Sequence, residues 1–468
     1  MAKPSEILST KFPFEPTKGQ LQLFELFNDF LLKEKVQKPT LLIRGYAGTG
    51  KTTMVSAVVK MLPYFNFKYV LLAPTGRAAK VMAGYSKRAA FTIHKKIFHQ
   101  VAEPGGGLQF KSQKNYHTNT VFVVDEASML SDHSDYGKNG LLTDLVDFVF
   151  SKENNRLLLI GDVAQLPPVG STESPALEVD YLRASFKMDA TSLELTEVMR
   201  QERASGILFN ATNLRNELTK NQYLPKFITN KFKDVFRMTG ERLEDGLRYS
   251  YDKYGTENTV IICRSNKNAV QYNRYIRNAI QFREDELEAG DILMIVRNNY
   301  FFLPEDAPAG FLANGDFVEV QKIVRFEEFY GLRFATLMLR LLDYPDQEPF
   351  EGKVVLDTLY SPEASMENES YKSLYNQVCD DYADVTPKTE RIKAIKKDPY
   401  LNALQVKFAY ALTCHKSQGG QWNAVFVDQG YLNEDMIDQE YVRWLYTAIT
   451  RATKELYLVN FHQRFFGS

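Results

Sequence analysis

The chain has 468 residues, 44% of them hydrophobic and 25% charged, with a formal net charge of −1. That length exceeds one hydrophobic core and predicts roughly two to four domains. The charge balance excludes a generally basic nucleic-acid binder but leaves room for a local basic track. No apolar run approaches the ~20 residues of a membrane span, and the opening MAKPSE has no signal-peptide core. Three scattered cysteines and six histidines show no metal-ligand spacing, so neither a disulfide framework nor a zinc site is expected.

An amphipathic helix is predicted over 17–35, with Leu21, Phe24, Phe27, Leu31 and Leu32 on one side. Gln20 lies at its start, where its amide suits an adenine edge; a surface glutamine at a helix start fits the pattern equally. The apolar run 40–43 then leads into GYAGTGKT at 45–52 and a helical stretch at 53–60. This is G-x-x-x-x-G-K-[ST] between a buried strand and a helix N-terminus. The backbone from Ala47 through Gly48, Thr49, Gly50, Lys51 and Thr52 to Thr53 is expected to cradle phosphate. Lys51 reaches β- and γ-phosphates, and the Thr52 hydroxyl suits Mg²⁺. The chain is therefore expected to use ATP.

A second buried strand at 69–73 ends in Pro74, Thr75 and Gly76, a sharp strand-to-helix turn that leaves the Thr75 hydroxyl and nearby amides free for a phosphate. Between Arg77 and Thr120 eight Lys or Arg stand against one acid, Glu103, with aromatics interleaved. A solvated face or a nucleic-acid track would both look like this. The glycines at 105–107 sit between two short aromatic or basic segments and predict a small hairpin-like insert. A strand-separating wedge is one use for it and a surface loop is the other.

The third strand, at 121–124, ends in Asp125 and Glu126. In open α/β sheets ligands bind beyond the carboxyl ends of the strands. Asp125 suits a Mg²⁺ shell there, and Glu126 is free to orient or deprotonate an attacking water. The fourth strand, at 156–162, places Gln165 at the same edge, able to bond both γ-phosphate and water. Strands alternating with helices from 40 to 165 predict a parallel, doubly wound sheet.

A second α/β domain is expected from 193, with strands at 260–264, 424–428 and 455–459. Between them the texture changes to short strands and a polar, tyrosine-rich helical piece, read as a small β-barrel-like module with a helical arm at 320–404. The expected division is 1–90 and 121–192 for the first domain, 91–120 for the insertion, and 193–319 with 405–468 for the second.

The motifs GYAGTGKTT (45–53), LAPTGRAA (72–79), FTIHK (91–95), VVDEASM (123–129), GDVAQLPPVG (161–170), MRQ (199–201), ANGD (313–316), ALTCHKSQG (411–419) and YTAITRA (446–452) follow Gln20 in order. Together they resemble the RecD-like branch of superfamily 1 DNA helicases, which includes Pif-type and Dda-type enzymes, over nearly the whole chain. The resemblance implies an α/β protein of two RecA-like P-loop domains, a small pin inserted in the first and an SH3-like β-barrel in the second. ATP would lie between the domains. Arg200 and Arg451 would act as arginine fingers, with Gln418 and Gly419 near the nucleotide.

Pro74, Thr75, Thr92, His94, Thr413 and His415 look like the family's DNA contacts. Phe98 is the candidate tip of the pin, with Phe110 as the other choice. The implied activity is ATP-dependent 5′-to-3′ translocation and duplex separation; the alternative is a single-strand translocase that displaces proteins or remodels RNA without unwinding. Expected partners are single-stranded DNA and single/double-strand junctions, with single-strand-binding or replication and repair proteins as further candidates. A monomer in the cytoplasm of a bacterial or phage-infected cell is expected, and a nucleus is also compatible.

Overall fold

The computed structural model describes residues 2–467 except 35, 103–107, 134–138, 200–203, 221–222, 305–306, 308, 310 and 345; side chains at 100–102 and 108–110 are outside the description. The first sheet holds β1 (Thr40–Gly45), β2 (Lys68–Ala73), β3 (Ala90–Thr92), β6 (Thr120–Val124), β7 (Arg156–Gly161) and β8 (Ala190–Leu195). A small two-stranded ribbon of β4 (Phe98–Ala102) and β5 (Leu108–Ser112) stands apart from it. The sheet order is β3-β2-β6-β7-β1-β8, and every pairing in it is parallel. Helices cover both faces, so β6 and β7 are buried at every position, which is why they read as unbroken apolar runs.

The second sheet comprises β9 (Val235–Met238), β10 (Thr259–Cys263), β16 (Ala411–Thr413), β17 (Trp422–Asp428) and β18 (Ala452–Val459), again parallel, in the order β16-β10-β17-β18-β9. Between β10 and β16 the chain leaves to build a closed barrel of β11 (Ile292–Ile295), β12 (Phe317–Phe329), β13 (Leu332–Leu341), β14 (Phe350–Val355) and β15 (Leu404–Phe408). Two parallel α/β domains with a barrel inserted in the second match the expected fold class.

The expected boundaries need three corrections. The barrel opens at Ile292 rather than at 320, because β11 pairs with both β12 and β15. Leu193, Glu194 and Leu195 belong to the first sheet, where β8 lies beside the P-loop strand β1. The insertion narrows to the ribbon 98–112, since β3 is an edge strand of the first sheet.

The helical arm is held by a satellite core in which Leu374, Val378 and Ile395 pack on Phe334 and Val355 of the barrel. The barrel and second sheet share one continuous apolar core, which also takes in Tyr46, Ala164 and Leu166 of the first domain. The seam between the two domains is therefore partly apolar. No described helix is long and apolar enough to cross a membrane.

Candidate active site

The P-loop joins β1 to the helix Lys51–Met61 through a turn in which Gly48 and Gly50 take φ of +76° and +84°. Side chains other than glycine rarely adopt that backbone. A Cβ on Gly50 would also lie 2.7 Å from the Met199 sulfur. Lys51 Nζ donates to the Gly45 and Tyr46 carbonyls at 2.6 and 2.9 Å and lies 3.9 Å from Asp162 Oδ2. Its ammonium is thus poised at the mouth of the cradle.

Gln20 is fully buried. Its Nε2 donates to the Thr49 carbonyl at 3.0 Å and its Oε1 accepts from Thr17 N–H at 2.9 Å. In this arrangement the amide braces the P-loop from behind, which excludes the surface alternative and commits one donor and one acceptor inside the protein.

At the end of β6, Asp125 accepts the Tyr85 hydroxyl at 2.6 Å and the Glu126 N–H at 2.9 Å. Glu126 takes a left-handed φ of +52°. That backbone is costly for a residue other than glycine. Burial pushes the Glu126 carboxyl above its ordinary range, with Arg451 opposing and Asp125 reinforcing the shift. Thr52, in the first turn of its helix, and Asp125 offer the hard oxygen donors that Mg²⁺ takes.

Gln165 is buried and its Oε1 has no hydrogen-bond partner among the described residues. An orphaned acceptor in the loop beyond β7 suits a donor that arrives with the substrate, such as a water.

The second domain closes this edge. Arg451 is buried, with Nη1 4.0 Å from Glu126 Oε1, and is held by the Thr447 and Gly420 carbonyls at 3.1 and 3.3 Å. Gln418 Nε2 donates to the Leu166 carbonyl at 2.8 Å, and Thr447 Oγ1 accepts Leu166 N–H at 2.8 Å. Arg200 lies outside the described residues. The preceding Met199 donates its N–H to the Gly48 carbonyl at 2.9 Å.

The expected nucleic-acid residues are less uniform. Thr75 caps the helix Gly76–Ser86 by accepting Ala78 N–H at 3.2 Å. Pro74 before it is half-buried. Across the seam a Cβ on Gly419 would lie 2.8 Å from Ala78 Cβ and 3.1 Å from Thr75 Oγ1. Gly419 therefore meets Thr75 and Ala78 across the seam. Thr92 is buried, its hydroxyl accepting Lys95 N–H as a helix cap. Half-buried His94 has its imidazole pulled down to about 4 by burial. His415 is lowered by burial too, with Glu440 opposing. Thr413 is half-buried and precedes the helix Cys414–Ser417 without capping it.

Phe98 is not at a tip. It begins β4 opposite Ser112, at the foot of the ribbon, and packs against the first-domain core. Phe110 pairs with Gln100, and the turn 103–107 lies outside the described residues.

Sequence reasoning missed Asp162 and Tyr446, although each lies in a motif already singled out, and Tyr85, which lies between two of them. It also missed Arg77, whose guanidinium stacks on Phe317 and Trp422 at 4.5 and 4.2 Å and so ties the first domain to the barrel and second sheet.

A phosphate cradle, an acidic strand end and an arginine brought from a second parallel-sheet domain define a P-loop nucleoside triphosphatase with its site between two RecA-like domains. A family model described as an AAA domain matches residues 30–171, and one described as a UvrD-like helicase C-terminal domain matches 408–459. An uncharacterized protein of Acanthamoeba polyphaga mimivirus is 25% identical over 94% of this chain and 98% of its own length. The ATP-dependent RecD2 DNA helicase of Deinococcus radiodurans is 30% identical over 37% of this chain and 21% of its own. The ATP-dependent DNA helicase dda of Enterobacteria phage T4 is 30% identical over 43% of this chain and 42% of its own. Over parts of its length the chain is thus similar to proteins described as UvrD-like, RecD2 and dda helicases.

Proposed function

We propose that the chain is an ATP-driven DNA helicase that moves 5′-to-3′ on single-stranded DNA and parts the duplex ahead of it. The approach of Arg451 to Glu126, a carboxylate that Lys51 also acts on, carries this reading. It puts a cation from one domain beside the acid that would handle the attacking water on the other. Glu126 would accept a proton from that water, and a carboxyl raised toward working pH is a better base. The free Gln165 oxygen would accept the water's second hydrogen. Lys51 would turn from the Gly45 and Tyr46 carbonyls to the phosphates, while Arg451 and Arg200 would face the charge that builds on the γ-phosphate. Thr52 and Asp125 would hold Mg²⁺, which when bound neutralises phosphate charge.

ATP favours a closed cleft because the arginines gain phosphate contacts only there; hydrolysis removes that preference. Thr75 with His94 on the first domain, and Thr413 with His415 on the second, would alternate their hold on the strand. Such contacts fall on phosphates and base faces and weaken with salt. The 5′-to-3′ direction rests on the family resemblance. Strand displacement on duplexes with a single-stranded tail at either end, run beside ATPase with and without oligonucleotide, tests the proposal. Release from the 5′-tailed substrate alone is expected. DNA-stimulated hydrolysis with no displacement on either substrate would favour a translocase, and hydrolysis indifferent to oligonucleotide would overturn the proposal.

A further inference from the structure

Two of the bonds that cross the domain seam meet on one hydroxyl. Tyr446 Oη accepts the P-loop Ala47 N–H at 2.8 Å and donates to Asp162 Oδ2 at 2.6 Å. Tyr446 belongs to the helix Gln439–Ile449 of the second domain and is 1% exposed. Burial and the adjoining carboxylate hold its phenol well above its ordinary range, so it stays a donor.

Asp162 is a junction. The oxygen that takes the Tyr446 proton also lies 3.9 Å from Lys51 Nζ, and its other oxygen accepts Ala164 N–H in the loop that carries Gln165. Thr447, next to Tyr446, both receives Leu166 N–H and supplies the carbonyl that holds Arg451 Nε. Ala47 and Asp162 thus fix the helix whose end presents Arg451 to Glu126.

We propose that Tyr446 is a positioning residue that reports the state of the P-loop to Arg451 through Asp162. Lys51 and Tyr446 share one carboxylate oxygen. When phosphate draws the ammonium away, that oxygen is left to Tyr446, and the helix carrying Arg451 is held more firmly over the cleft. This rests on the proposed hydrolysis in that cleft. It adds a named link between nucleotide arrival and the second domain.

Tyr446→Phe removes the hydroxyl and keeps the ring packing. With saturating oligodeoxythymidine, kcat is expected to fall about tenfold or more. KM for ATP should stay within about threefold, because Lys51 and the P-loop glycines keep their places and only the Ala47 N–H loses its partner. Asp162→Asn should lose kcat in the same way, and the double variant should be no worse than the poorer single. Should the Phe variant fail to fold, judged by its melting temperature, Asp162→Asn carries the same kcat-against-KM test. Wild-type kcat in Tyr446→Phe, a loss confined to KM, or multiplying losses in the double variant would overturn the inference alone. A wild-type protein that does not hydrolyse ATP would defeat the underlying reading as well.

Discussion

The seam between the two sheets and the ribbon 98–112 pose opposite problems. At the seam, side chains from distant segments converge on one small volume and hydrogen bonds cross it at several points: Gln418 on Leu166, Thr447 on Leu166, Tyr446 on Ala47 and Asp162. The ribbon is two short antiparallel strands tied to the first domain mainly at its foot, through Phe98 and through Gln113, whose N–H donates to the Ile97 carbonyl at 2.6 Å. Chemistry demands placement to a fraction of an ångström, so its site is over-determined by packing and hydrogen bonds. A wedge needs only to stand in the path of the duplex. The two regions should therefore fail differently when mutated.

Arg451→Ala is the largest blow to the seam. If Arg451 meets charge that develops on the γ-phosphate, kcat should fall by ~10³–10⁵ while single-stranded DNA binding without nucleotide persists. The guanidinium is buried and holds three carbonyl or hydroxyl oxygens, so part of any loss could be structural. Arg451→Lys separates the two, because it keeps charge but not the planar fork. Turnover near wild type in both variants would remove Arg451 from the mechanism and with it the contrast drawn here.

That contrast also governs what could be read from the residues alone. The P-loop, Asp125, Glu126 and Gln165 are legible as candidates because phosphate chemistry asks for such residues beyond strand ends, whereas Arg451 is marked only by the family resemblance. Their roles came from local motifs, and parallel strands buried on both faces announce themselves as apolar runs. The barrel boundary was not legible, because β11 is defined by pairing Leu293 with Phe408, residues more than a hundred positions apart. The turn texture at 290–319 marked a change without saying which strands would close on which. Tyr446 escaped for a different reason: Arg451 in the same motif drew attention, while a tyrosine in an apolar helix reads as core until its hydroxyl is seen between Ala47 and Asp162. Phe98 was misplaced because an aromatic beside a glycine-bearing hairpin suggests a tip, whereas the strand pairing puts it at the base.

The ribbon sharpens the comparison at a smaller scale. Replacing 99–111 with a short flexible linker should lower duplex separation about tenfold or more, on the order of 1.4 kcal/mol of barrier, with DNA-stimulated ATPase nearly unchanged. Phe98→Ala should behave differently. It removes packing against the first-domain core and should cost stability of about 1–3 kcal/mol, read as a lower melting temperature, with the ratio of unwinding to ATPase preserved. Equal loss of both activities in the linker variant would show that the ribbon supports the ATPase domain and is no wedge.

The smallest effect is expected at His94, beside the foot of the ribbon. Its ring lies 5.7 Å from that of Phe98, and burial lowers the imidazole to about 4, against an unfolded value of ~6.5. The folded state therefore resists the proton that the unfolded chain accepts. By linkage, stability from this group is fully present above ~6.5 and is lost progressively as pH falls toward about 4. His94→Gln should flatten that part of a melting-temperature profile while leaving the profile above ~6.5 parallel to wild type. The same neutrality bears on DNA. An uncharged imidazole releases no counterion when it meets a phosphate, so the variant should bind single-stranded DNA with an unchanged salt slope. A shallower slope at neutral pH would mean that His94 carries charge in the complex, and that DNA, rather than the protein core, sets its ionisation.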